Sequence, residues 1–133
     1  MDRVMKIELT VYTRGKEGIF EMSSREVIEK CYLVESIYEN ILGINEYIND
    51  GVINPSKYDD IITKCDGKSI EWCDRIAKYN DDERDLKINL ISGMSQILIL
   101  RHLLLMLKNV KERFDGLKLS SYKIQVEVDL GDE

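Results

Sequence analysis

Apolar and polar residues alternate at both ends of this chain and follow a helical period between them. Near the N-terminus Met5, Ile7, Leu9 and Val11 alternate with Lys6, Glu8, Thr10 and Tyr12, the period-two signature of a half-buried strand. Near the C-terminus Tyr122, Ile124, Val126, Val128 and Leu130 alternate with Lys123, Gln125, Glu127 and Asp129, which predicts a second long strand. The segment Arg14-Gly15-Lys16-Glu17-Gly18 supplies turn glycines, and Ile19 to Met22 predicts a short return strand that completes an N-terminal hairpin. Leu117 and Leu119 are out of phase with the last strand, so Ser120-Ser121 predicts a bend or bulge.

Four helices are predicted between the strands. Ser23 with Glu26 three residues on makes a capping box, opening a helix that runs to about Ile48 and stops at Asn49-Asp50-Gly51. Asn54-Pro55 starts a second helix, since proline is tolerated at the first helical position; it ends near Cys65, before Asp66-Gly67. Ser69 caps a third, and Asn80 with Glu83 opens the longest, which runs to about Phe114. Acids in its first turn and Lys108, Lys111 and Arg113 in its last turns suit the helix dipole. The expected fold is α+β: a small antiparallel sheet, built from the N-terminal hairpin and the C-terminal strand, packed against four helices, one of them long and central. Residues 1–133 are read as a single domain.

Two helical faces carry more information. At ~100° per residue, Val27, Cys31, Val34, Tyr38, Ile41 and Ile48 share one side of the first predicted helix, and Asn45 on that side is expected to hydrogen-bond in the core. Glu35, Glu39 and Glu46 gather opposite, with Tyr32 beside them. That side reads either as a solvated face or as a docking surface for a basic protein partner. The longest helix is apolar almost all round from Ile97 to Leu107, as in a helix buried on more than one side. One small core leaves the second face for another subunit, so a homodimer is expected. Arg101, inside this region, needs an oxygen partner or an anion. His102, the one histidine, is flanked by Leu98, Leu105 and Met106 and is expected to pack.

Composition narrows the function. Nineteen Lys and Arg against 25 Asp and Glu give a net charge of −6, which disfavours a nucleic-acid-binding domain, since a phosphate backbone is met by a basic excess. The excess is local: residues 23–50 carry two positive and six negative charges, residues 117–133 two and four, and the rest balances. No basic-then-apolar leader is visible, and Arg101 and His102 interrupt the longest apolar run, so neither a secretory signal nor a membrane span is expected. Cysteines 31, 65 and 73 lack the close pairing of a zinc site and the even count of a disulfide framework, and are expected to be free thiols in a cytoplasmic protein.

No GxSxG, GxGxxG or GxxxxGK[ST] motif is present, and no paired carboxylates stand at useful spacing, so no catalytic residue, metal or cofactor is expected. The sequence reads as a small acidic binding module, an inhibitor, immunity-type protein or regulatory subunit that occludes a protein partner through Tyr32, Glu35, Glu39 and Glu46. Two alternatives stand beside it. One is an anionic small-molecule or nucleotide binder using Arg101, His102, Arg14 and Lys16; the other is a structural subunit that oligomerises through the long helix.

Overall fold

A computed structural model describes residues 3–13, 25–116 and 122–130. Strand β1 (Val4–Thr13) lies between β2 (Arg25–Val34) and β5 (Tyr122–Asp129), and a small hairpin of β3 (Ile48–Asn49) and β4 (Val52–Ile53) extends the sheet beyond β5. The order is β2-β1-β5-β4-β3, and all pairings are antiparallel. Two long helices, α1 (Tyr58–Lys78) and α2 (Arg84–Gly116), pack on one face of the sheet. A short π-helical segment, Ser36–Ile41, and three 3-10 turns complete the described chain.

The α+β class therefore stands, but among the described residues the expected three strands and four helices become five strands and two long helices with one short helical segment. The largest correction concerns the first predicted helix, whose residues 25–34 form β2. Val27, Cys31, Val34 and Tyr38 fit a helical period, yet Cys31 and Leu33 also alternate with Lys30 and Tyr32. β-branched and aromatic residues favour the pleated alternative when a partner strand offers an apolar face. That partner is β1: Met5 pairs with Leu33 and Ile7 with Cys31, and all four are buried. A bulge between Leu9 and Thr10 leaves Ile28 opposite no residue of β1. The remainder of the predicted helix becomes the π-helical segment and a 3-10 turn at Ile44–Tyr47, and Asn45 is exposed rather than in the core. The expected return strand at residues 19–22 and the bend at 120–121 lie outside the described residues.

Asn49-Asp50-Gly51 does make a turn, but between strands. Asp50 has φ 52 and Gly51 φ 77, positive at both centres as a tight two-residue hairpin requires. The second and third predicted helices merge into α1. Gly67 inside it weakens the helix by only ~1 kcal/mol, and the Ser69 hydroxyl donates back to the Cys65 carbonyl at 2.7 Å instead of capping a new helix. Asn54 accepts from the Ser56 amide at 3.0 Å beside Pro55, the expected start. The Asn80–Glu83 capping box forms as well, with Glu83 accepting from the Asn80 amide at 3.3 Å.

α1 and α2 run antiparallel, tied by Asp59–Lys108 and Asp66–Arg101 ion pairs and by Cys73 Sγ against Met94 Sδ at 3.6 Å. Trp72 lies over Gly93, where a Cβ would meet the Trp72 Cζ3 at 2.7 Å; the glycine is a seat for the indole. Ile97, Leu100, Leu103, Leu104 and Leu107 of α2 are buried with Met5, Ile7, Leu9, Leu33 and Val126 in one core. Asp81–Arg113 contains an 18-residue stretch with the apolar content of a membrane-crossing helix, and a third of that stretch is buried within the fold.

Candidate functional site

Because the helices pack on one face of the sheet, period-two alternation sends the intervening residues of β1, β2 and β5 to the other face. Register then decides which of them meet. Lys6 stands opposite Asp129 on one side and Tyr32 on the other, and Glu8 stands opposite Glu127 and Lys30. Val52 of β4 pairs with Glu127, and the Val128 amide donates to the Gly51 carbonyl at 2.8 Å. The hairpin turn is thereby brought to the edge of the charged face. The result is a concavity of about 560 Å³ lined by Lys6, Glu8, Arg25, Asp50, Gln125, Glu127 and Asp129, together with Gly51, Val52 and Val128.

Two carboxylates directly across a ladder repel, so Glu8 and Glu127 require a compensating cation. Arg25 provides it. Its guanidinium donates to Glu127 at 2.8 Å, lies 3.5 Å from Glu8, and donates through Nε to the Tyr12 hydroxyl at 3.2 Å. Tyr12 in turn donates to Glu127, as does Gln125 at 2.9 Å. Lys6 lies 3.6 Å from Glu8, and Lys123 lies over the Tyr12 ring, 5.4 Å from its centre. Burial pushes the Glu127 carboxyl up, but hydrogen bonds from Tyr12, Arg25, Gln125 and Thr10 together outweigh it and hold the group at about 2. The Glu127 bond and burial raise the Tyr12 hydroxyl, and Glu127 and Tyr12 raise the Arg25 guanidinium. Glu127 is thus a fixed negative charge at neutral pH. Among the described residues four carboxylates and two cations line the cleft, which makes that lining acidic.

A second, smaller groove of about 410 Å³ runs between Pro55, Tyr58 and Leu107 on one side and Tyr122 and Ile124 on the other, with Lys111 and Lys123 at its rim. It is mainly apolar. Among the described residues no group of three or more His, Cys, Asp or Glu is placed to hold a metal ion.

The residues singled out in the sequence are scattered by this fold. Tyr32 lies on the open face of the sheet beside Lys6, half exposed. Glu35 follows β2, its amide donating to the Arg3 carbonyl at 2.9 Å, while Glu39 and Glu46 are exposed in the π-helical segment and the next 3-10 turn. No single helix face joins the four, because the helix that would have done so does not form. Arg101 is not enclosed: its side chain is 39% exposed and paired with Asp66. His102 is exposed rather than packed. Arg14 and Lys16 lie outside the described residues. Glu8, Asp50, Glu127 and Asp129 were not singled out. Their signal was the polar half of the two strand alternations, together with the acidic excess of residues 117–133.

Compared with known protein families, curated proteins and solved structures, the chain matches none.

Proposed function

We propose that the chain is a small protein-binding module that occludes a partner, and that the partner offers a basic segment to the acidic cleft on the open face of the sheet. The observation that supports this reading is the cleft itself. Glu8, Asp50, Glu127 and Asp129 outnumber Lys6 and Arg25 there, and Glu127 stays ionised down to about pH 2. A localised negative field on a rigid sheet speeds encounter with a positive surface and fixes its orientation. Glu8 and Glu127 are held by Lys6, Arg25, Tyr12 and Gln125, so little of their side-chain entropy is lost on binding. Tyr32, beside Lys6 on the same face, gives the rim an amphipathic anchor of the kind enriched at interfaces.

The test is paired capture from lysate with the wild type and with a Glu8→Lys, Asp129→Lys variant, quantified by mass spectrometry. A partner held by the wild type, lost by the variant and weakened by raising salt from 0.05 to 0.3 M (about a twofold fall in screening length) supports the cleft. Identical sets from both proteins overturn it.

A further inference from the structure

Arg25 is the first residue of β2, an edge strand of the sheet, yet its guanidinium ends two strands away at β5. With neighbouring strands ~4.8 Å apart, the side chain spans ~10 Å of the open face, and it stays 41% exposed. Three oxygens receive it. Nη2 donates to Glu127 at 2.8 Å and lies 3.5 Å from Glu8, while Nε donates to the Tyr12 hydroxyl at 3.2 Å. Two nitrogens of one planar group are thus used at once, on oxygens carried by two different strands. A guanidinium satisfies that arrangement, whereas an ammonium offers a single point of charge.

This seat does not depend on Arg25 for its shape. Tyr12 donates to Glu127, as does Gln125 at 2.9 Å, and ladder pairing sets Glu8 opposite Glu127. Lys6, 3.6 Å from Glu8, stays beside the acids as a cation. Arg25 itself is anchored at the end of a strand, and among the described residues no strand lies beyond β2 to hold its arm down. A half-exposed ion pair of this kind contributes little to stability and is replaceable.

We propose that this seat takes an arginine of the partner and that Arg25 fills it in the free protein, so that docking exchanges one guanidinium for another. The exchange rests on the reading of the cleft as the site of a basic segment, and it names the residue that segment must carry. An incoming arginine recovers the contacts that Arg25 gives up, and the rest of its segment meets Asp50 and Asp129 in the same cleft. Self-occupancy also sets the affinity. A seat open about one-tenth of the time weakens apparent binding ~10-fold, and the factor shrinks when the internal competitor is made weaker.

Arg25→Lys separates this exchange from a simple effect of charge. It leaves the net charge of the cleft unchanged and keeps a cation near Glu8 and Glu127, so the sheet is not left with bare opposed carboxylates, but a lysine cannot span the seat. Fluorescence polarisation of the full chain with labelled hexa-arginine and hexalysine, peptides of equal charge, reads the outcome. Arg25→Lys is expected to bind hexa-arginine ~3- to 10-fold tighter than the wild type and hexalysine with unchanged affinity, and adding Glu127→Gln to Arg25→Lys removes the gain. Equal or weaker binding of hexa-arginine by Arg25→Lys overturns the exchange and leaves the cleft standing as a site for basic segments. So does an equal gain for both peptides, or a gain that survives Glu127→Gln. Binding of neither peptide by the wild type or either variant refutes the cleft itself, and the exchange with it.

Discussion

Replacing Glu127 by Gln sets two effects of opposite sign against each other. The carboxylate is drawn down by Tyr12, Arg25 and Gln125, yet it stands directly across the ladder from Glu8. Relief of that repulsion favours the variant by ~0.2–1 kcal/mol. Loss of the charge-assisted bonds opposes it: the gap between the ordinary value of 4.5 and the folded value of about 2 corresponds to ~3 kcal/mol at neutral pH. Glutamine keeps a neutral acceptor for Tyr12 and Arg25 and recovers part of this, so Glu127→Gln is expected to cost ~1–2 kcal/mol at pH 7. The sign with pH follows from linkage. A carboxyl whose folded value is depressed contributes its full stability above about 4.5 and loses it as pH falls towards 2. Urea unfolding followed by far-UV circular dichroism should therefore separate wild type and variant at pH 7 and bring them nearly together at pH 2. A variant as stable as the wild type at pH 7, or a difference that persists at pH 2, refutes the proposed balance within the network.

Gly93→Ala should destabilise by ~1–2 kcal/mol despite alanine's ~1 kcal/mol helix advantage, because the added Cβ meets the buried Trp72 ring at 2.7 Å; thermal unfolding with no loss would show that the indole can move. Arg101→Met should change stability by less than ~1 kcal/mol, since Arg101 and Asp66 are 39% and 47% exposed and such pairs contribute little; a loss above 2 kcal/mol in chemical denaturation would contradict a surface pair. Burial pushes the Cys31 and Cys65 thiols up to about 12, whereas Cys73 is exposed, so Ellman's reagent at pH 8 should titrate one thiol quickly in the native protein and all three in guanidinium. Rapid reaction of two or more native thiols would disagree.

The parts of the fold that the chain announces locally are those whose signals have one reading. β1 and β5 alternate without a competing period, and Asn80 with Glu83 marks the start of the long helix as the capping geometry requires. β2 has two readings: its apolar positions satisfy both periods, and only a neighbouring strand decides between them. A helix read from Ser23 onward cannot anticipate that Met5 and Ile7 would pair with Leu33 and Cys31. The break expected at Asp66-Gly67 failed for a related reason, because packing of α1 along α2 holds a glycine that would weaken an isolated helix. The candidate cleft was legible in pieces. Glu8, Glu127 and Asp129 are visible as the polar half of two strands, and the charge arithmetic marked the C-terminal strand as acidic. What gathers them is the register that sets Glu8 against Glu127 and the hairpin turn that brings Asp50 to the edge, and neither is a local property.

Occupation of the acidic cleft by a basic protein segment, as proposed, can be mapped residue by residue. Carbodiimide cross-linking of a captured complex joins carboxylates to lysines only where they touch, and peptide mapping then names both ends. Cross-links from Glu8, Asp50 or Asp129 to lysines of the partner are expected. Cross-links confined to Glu35, Glu39 and Glu46, with the cleft carboxylates unmodified by the partner, would contradict it.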